Sequence, residues 1–215
     1  MALKHQPCAY CGSSKSPRTK GHVIPKNLYP TETNAITVPE CSDCKAIWED
    51  AEPHFRNIMM AIWNPEKVVK DNHFTRMQRS FKKCDGTRRL REFFDRIVPA
   101  PPPNQGREML YPAKDPAFNL ILRRIVRGLC HVNKLGSPVA DNRVSCDVMK
   151  YDVPEAFKPD FTWIEIAPGF FRYGYVFLDS DDLHSFWLLR FSKHIEFVGC
   201  VSGNEAGCPD HTNTT

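Results

Sequence analysis

The sequence predicts an α+β fold: a small metal-stapled module, a helical segment, and a C-terminal antiparallel sheet packed on a helix. Three observations predict it: two Cys-x-x-Cys pairs near the N-terminus, apolar residues at helical spacing in the middle, and aromatic and β-branched segments toward the end. A chain of 215 residues is long enough for a metal-held module, residues 1–64, joined to a larger one, residues 65–215. Within the larger module we expect a stiff Pro-rich connection or surface loop at 98–106.

The composition is that of an ordinary soluble globular protein, with 41% hydrophobic and 25% charged residues. No run approaches the roughly 20 apolar residues of a membrane helix, and the first residues lack the apolar segment of a signal peptide. We therefore expect a cytoplasmic protein with no membrane partner. In that reducing compartment, the nine cysteines favour metal binding or free thiols over disulfides.

The two cysteine pairs are Cys8 with Cys11 and Cys41 with Cys44. Each pair can present two thiolates from a tight turn, and four such sulfurs form the tetrahedral set that Zn²⁺ accepts. Because protein would fill all four positions, the expected zinc is structural, and any chemistry must come from other residues. The alternative is four incidental or redox-active cysteines.

A single histidine, His22, lies between the two pairs in the segment TKGHVIPKN. The short β-prone stretches 22–24 and 35–38 predict a small hairpin around it. After the second pair, residues 45–63 predict a helix, which Pro53 would kink or restart.

The segments CAYCG at 8–12, GHVIPKNLYP at 21–30 and TNAITVPECSDCK at 33–45, with the following helix, resemble the HNH nuclease family. The resemblance covers about the first quarter of the chain and implies a ββα-metal fold. It also implies that His22 is the general base that takes a proton from the water attacking a phosphodiester. A neutral imidazole suits this role. Asn34 matches the family's asparagine, which orients the histidine.

The resemblance further implies a divalent ion, Mg²⁺ or Mn²⁺, that stabilises charge on the scissile phosphate. Two positions depart from the family pattern. Gly21 stands where an acidic residue or histidine binds the ion, and Lys45 stands where a histidine or asparagine completes the site. Glu49, four residues after Lys45 on the predicted helix, is the expected substitute ligand. Lys45 could instead provide a fixed positive charge beside the phosphate.

A basic segment follows the N-terminal module, in which lysines and arginines outnumber acidic residues between 66 and 98. Such a segment can neutralise phosphates without reading base sequence, and we expect DNA rather than RNA as the partner. The alternative is an ordinary solvated helical face. The candidate nucleic-acid-binding residues are Arg76, Arg79, Lys82, Lys83, Arg88, Arg89 and Arg91.

Later elements follow from apolar periodicity and capping residues. Asp115 before Pro116 predicts the start of a long helix that Gly136 ends. The segments FTWIEIA, FFRYGYVFL, SFWLLRF and HIEFVGCV predict an antiparallel meander packed on that helix. Two basic helices before it are predicted by the apolar sets Phe74, Met77, Phe81 and Leu90, Phe93, Phe94, Ile97.

The leading hypothesis is an HNH endonuclease that hydrolyses phosphodiester bonds with a divalent ion and His22 as base. The alternative is a nucleic-acid-binding protein built on a catalytically degenerate HNH module. A third hypothesis is a zinc-stabilised interaction module whose sheet binds protein. Base specificity, oligomeric state and biological target stay open.

Overall fold

The structure is a computed structural model. It describes residues 6–15, 18–29, 34–62, 79, 82, 86–100, 102–103, 106–109, 115–149, 153, 155–178, 184–191 and 195–202. The expected helix at Phe74, Met77 and Phe81 lies outside these residues.

The N-terminal part is a two-stranded hairpin followed by helices. Strand β1 (Arg18–His22) pairs antiparallel with β2 (Thr37–Cys41), so that His22 lies opposite Thr37. A 3-10 helix (Lys26–Leu28) lies in the connection between the strands. The expected hairpin is therefore present, but its strands lie at 18–22 and 37–41 rather than at 22–24 and 35–38. We call residues 6–62 the hairpin module.

Two helices follow the hairpin where the sequence predicted one region with a kink or restart. They are α1 (Ser42–Trp48) and α2 (Ala51–Ile62). Pro53 lies in the first turn of α2, where its missing N–H removes no intrahelical hydrogen bond. The chain therefore restarts the helix rather than kinking it.

The next described helix is α3 (Gly86–Phe94), followed by strands β3 (Ile97–Pro99) and β4 (Arg107–Met109). The two strands pair antiparallel, and the Ala100 N–H donates to the Gly106 carbonyl at 3.0 Å. Ile97 therefore belongs to a strand and not to the predicted helical stripe. The described residues of the Pro-rich segment 98–106 include the end of β3 and lie between two paired strands.

The long helix α4 (Pro116–Val132) begins as the sequence predicts. Asp115 is its N-cap, with Oδ1 accepting hydrogen bonds from the N–H groups of Ala117 at 3.0 Å and Phe118 at 3.2 Å. The helix ends at Val132, earlier than expected, and the predicted stop residue Gly136 follows in a turn with φ of +56°.

The C-terminal part contains a five-stranded antiparallel sheet in the order β5-β9-β8-β7-β6, which confirms the α+β class. A 3-10 helix (Asp141–Arg143) precedes β5, and another (Glu155–Asp160) precedes β6. The predicted meander comprises four strands: β6 (Thr162–Ala167), β7 (Phe171–Phe177), β8 (Ser185–Phe191) and β9 (Ile195–Val201). Sequence reasoning missed β5 (Val144–Val148), a short edge strand with exposed Ser145 and Asp147.

One continuous cluster of buried side chains joins the hairpin module, α4 and the sheet. Phe118 of α4 shows the connection, because its ring centroid lies 4.5 Å from that of Phe55 in α2 and 5.8 Å from that of Phe197 in β9. Helix α4 therefore packs on both sides. Within the described part of the chain, no helix combines the length and apolarity needed to cross a membrane.

Candidate functional site

The four predicted zinc ligands lie together at one end of the hairpin module. The Sγ atoms of Cys8, Cys11, Cys41 and Cys44 are all within 4.8 Å of one another, and those of Cys11 and Cys41 are 3.7 Å apart. A tetrahedral site with Zn–S bonds of about 2.3 Å separates its sulfurs by about 3.8 Å. The four cysteines, here called the cysteine knuckle, can therefore bind a metal ion such as zinc.

Backbone N–H groups donate to two of the knuckle sulfurs. The N–H of Cys41 donates to the Cys8 sulfur at 3.4 Å, and the N–H of Cys44 donates to the Cys41 sulfur at the same distance. Burial raises the pKa of the Cys8 thiol, but backbone N–H groups of Tyr10, Cys41 and Cys11 outweigh it and lower that pKa to about 7. A metal ion would therefore displace the Cys8 proton readily near neutral pH.

His22, the last residue of β1, lines a pocket of about 370 Å³ at the opposite end of β1 from Arg18, the partner of Cys41. The pocket also contains Lys20, Lys45, Glu49 and Glu52, and we call it the His22 pocket. The structure thus brings His22, Lys45 and Glu49 to one site, together with Glu52, which lies near Glu49 in the sequence.

The imidazole of His22 is half-buried, and its surroundings favour the neutral form. Burial lowers the pKa of His22, the positive charge of Lys26 lowers it further, and Arg124 acts in the same direction. Glu52 opposes these effects without reversing them. His22 is therefore an uncharged proton acceptor at neutral pH.

Gly21, which replaces an expected metal ligand, is required by the neighbouring strand. A Cβ atom at position 21 would lie 2.7 Å from the Cβ of Glu40 and 2.8 Å from its Oε2. Real Cβ atoms essentially never approach so closely, so Glu40 fills the space that a side chain at position 21 would need. An acidic residue at position 21 is incompatible with this packing.

Arg124 of α4 binds the hairpin module from outside it. Its guanidinium donates to the Glu52 carboxylate at 2.9 Å, to the backbone carbonyl of His22 at 2.9 Å, and to the Glu40 carboxylate at 3.4 Å. The side chains of Arg124 and Glu40 are each only 3% exposed. We call this arrangement the Arg124 clamp. It connects both sides of the His22 pocket to the long helix.

Aromatic residues complete the surroundings of the clamp. The Trp48 indole N–H donates to Glu40 at 2.9 Å, and the Arg124 guanidinium lies 4.9 Å from the centroid of the Trp48 ring. Burial raises the pKa of the Glu40 carboxyl, although the charge of Arg124 and the bond from Trp48 act against this. One signal in the sequence indicates that Arg124 has a buried acidic partner, although it does not identify that partner. Arg124 falls between Ile121 and Ile125 on the apolar face of α4, where a buried cation needs an acidic partner.

The remaining predicted residues lie elsewhere. Asn34 is exposed before β2 and is not among the described residues that line the His22 pocket. Of the basic candidates, Arg79, Lys82, Arg88 and Arg91 are exposed. Arg76 and Lys83 fall outside the described residues, and Arg89 lies on α3.

Three carboxylates lie at the His22 pocket, where the catalytic ion is expected: those of Glu40, Glu49 and Glu52. Arg124 donates to two of them, Glu40 and Glu52. Among the residues that the structure describes, the cysteine knuckle is the one group of three or more His, Cys, Asp or Glu ligand atoms close enough to share an ion. Mg²⁺ usually keeps several waters and binds through one or two carboxylates, which is fewer protein ligands than the knuckle offers.

Comparisons of the chain with protein-family models, with curated proteins and with solved structures found no match.

Proposed function

We propose that the protein is an HNH-type endonuclease that hydrolyses phosphodiester bonds in DNA, with His22 as general base. The observation that supports this best is a neutral, half-buried imidazole in a pocket that also contains two lysines and three carboxylates. The metal at the cysteine knuckle is then a structural zinc, since four thiolates leave no open coordination position.

Each pocket residue has a separate role in this proposal. His22 takes a proton from a water molecule as the water oxygen forms a bond to phosphorus and the bond to the leaving ester oxygen breaks. Lys20 and Lys45 provide positive charge that binds the phosphate. A divalent ion such as Mg²⁺ or Mn²⁺, bound by Glu49 and Glu52, would stabilise charge on the phosphate oxygens. The Arg124 clamp orients His22 through its backbone carbonyl.

The test is plasmid nicking by the purified, zinc-loaded chain with Mg²⁺ or Mn²⁺, comparing His22→Gln with His131→Gln. Both histidines are half-buried and both have a pKa lowered by burial, but His131 lies at the end of α4 and bonds to Ser137. Removing the base should slow cleavage about 10²- to 10⁴-fold, whereas the His131 variant should cut like the wild type. A wild type that never cuts with either metal contradicts the nuclease proposal.

A second candidate is nucleic-acid binding without cleavage, and the Arg124 clamp favours it. The guanidinium already occupies the carboxylates of Glu40 and Glu52, and Gly21 provides no ligand. The exposed Arg88 and Arg91 of α3 would then bind phosphates. This candidate predicts DNA binding that weakens steeply with salt and is unchanged in His22→Gln.

A further inference from the structure

A second and larger space, of about 730 Å³, lies along a different face of α1 and α2. Ile47, Asp50, Ala51 and His54 line it at helical spacing, whereas Lys45, Glu49 and Glu52 line the His22 pocket. We call it the Ile47 cleft. Its volume is within the roughly 300–1,000 Å³ typical of small-molecule sites.

Three arginines from different parts of the chain line the Ile47 cleft: Arg88 of α3, Arg96 after it, and Arg123 of α4. Arg96 donates to Asp115 at 2.7 Å, and Arg123 donates to Asp141 at 3.1 Å. A guanidinium has five N–H donors, so each of these bonds leaves donors that a phosphate can accept. The side chains of Arg96 and Arg123 are about one quarter exposed, which keeps those donors within reach of a ligand.

Asp115 holds this side of the cleft in place. Its Oδ2 accepts hydrogen bonds from His54 Nε2 and from Arg96, both at 2.7 Å, while its Oδ1 caps α4. Burial raises the pKa of Asp115, but the hydrogen bond and charge of His54, the Phe118 N–H and the charge of Arg96 together lower it, so the group is an anion at neutral pH. Both carboxylate oxygens and the first α4 amides are therefore already used. A ligand in the cleft would therefore bind to the arginines and not to the N-terminus of α4.

Part of the cleft wall is apolar. Leu120 of α4 and Ala51 of α2 form part of it, and Ile47 stands beside them with 61% of its surface exposed. Ile47 is the most exposed large hydrophobic residue among those described. A flat apolar group placed on this wall would cover Ile47 and remove its surface from water. Asp50 is also in the lining and is exposed, so it can accept hydrogen bonds from amino or hydroxyl groups.

We propose that the Ile47 cleft binds a nucleoside monophosphate, with the phosphate on the arginines and the base against Ile47 and Leu120. One compact ligand then satisfies a guanidinium cluster, an apolar wall and a carboxylate acceptor together. The ligand is either a free nucleotide or one nucleotide of a strand. The inference is independent of cleavage at His22, because it concerns a separate space with different residues.

The test measures binding of AMP, of inorganic phosphate and of a short single-stranded oligonucleotide to the full zinc-loaded chain by titration calorimetry. Arg88→Gln is compared with Arg172→Gln, since both arginines are exposed but only Arg88 lines the cleft, whereas Arg172 lies on β7. The Arg88 variant should bind AMP about tenfold more weakly, as expected for one lost charge-assisted hydrogen bond, and the Arg172 variant should bind like the wild type. Ile47→Ser should weaken AMP binding but leave phosphate binding unchanged.

The outcomes separate the sources of the nucleotide. An oligonucleotide that binds more tightly than AMP and is displaced by AMP supports a strand, whereas AMP binding without oligonucleotide binding supports a free nucleotide. Equal losses in Arg88→Gln and Arg172→Gln would overturn the proposal, because they indicate unspecific attraction to positive charge. No AMP binding by the wild type would overturn it as well, even if the protein cuts DNA. Arg88-dependent AMP binding would support it even if the protein never cuts.

Discussion

The hairpin module is held at two places by opposite kinds of bonding. At the cysteine knuckle, four thiols that all belong to the module can share a metal ion. At the Arg124 clamp, a guanidinium from 102 residues further along the chain bonds to the backbone of His22 and to two carboxylates. The knuckle joins residues of the module to one another and so shapes the module. The clamp joins the module to α4, a helix far away in the sequence, and fixes the module against it.

The two ends of the module depend on different conditions. The knuckle needs an ion from solution, so its strength varies with metal supply and with thiol protonation. The clamp needs only the fold, but it keeps charges out of water, so the loss of either partner leaves an uncompensated charge. Geometry at His22 therefore depends directly on α4 and only indirectly on the metal.

Breaking the knuckle should have the largest effect. Cys41→Ser removes a proposed zinc ligand and also the sulfur that accepts the first N–H bond of α1. Structural zinc contributes about 10–16 kcal/mol in small zinc modules, so we expect loss of about one zinc per chain and unfolding of the hairpin module. Metal analysis and circular dichroism measure the two effects.

Cys200→Ser is the matched control for the knuckle. Cys200 is half-buried on β9, outside the knuckle, and its substitution should leave the zinc content unchanged. If Cys41→Ser retained zinc and the folded state, the knuckle would not be a structural metal site.

Breaking the clamp should have the next largest effect. Arg124→Met leaves Glu40 buried without its cationic partner, which should lower the free energy of unfolding by about 3–5 kcal/mol. Arg123→Met, one residue earlier on α4, removes a partly exposed pair with Asp141 and should cost about 0–1 kcal/mol. Denaturant unfolding of both variants makes the comparison. Equal and small losses would show that the clamp does not stabilise the contact between the module and α4.

The knuckle and the clamp also differ in how far the sequence predicts them. Spacing alone predicted the knuckle, because two Cys-x-x-Cys pairs specify ligand type, number and turn geometry within 37 residues, 8 to 44. The same local reasoning predicted the hairpin, the Asp115 cap and the meander strands. Each of these features depends on residues close together in sequence.

The clamp could not be predicted in this way. Nothing near Arg124 specifies that it bonds to Glu40 and Glu52, because that choice depends on how α4 packs against the hairpin module. Gly21 shows the same limit. The sequence showed a missing metal ligand there, but only the packing of Glu40 explains why a side chain is excluded. Which residues surround His22 is therefore determined by packing between parts of the chain that are far apart in sequence.

The smallest expected effect is on the protonation of His22. Its pKa is lowered in the folded state by burial and then by Lys26 and Arg124, so in the window just below the ordinary value of 6.5 the unfolded chain binds more protons at this residue. Stability from His22 is therefore complete above that value and decreases as pH falls through the window. A nuclease that uses neutral His22 should likewise stay active to below that pH and lose rate under more acidic conditions.

Lys26→Met tests this effect without breaking the clamp, since Lys26 is exposed on the 3-10 helix between β1 and β2. Removing its positive charge should raise the His22 pKa toward 6.5 and shift the acid side of the rate profile in the same direction. NMR titration of the histidine ring protons measures the change.

His131 is the internal control, because burial alone lowers its pKa and its titration should not move. If both histidines shifted equally, the variant would have altered the fold in general. If neither shifted, the charge of Lys26 would not reach His22, and burial with the clamp would account for its neutral state.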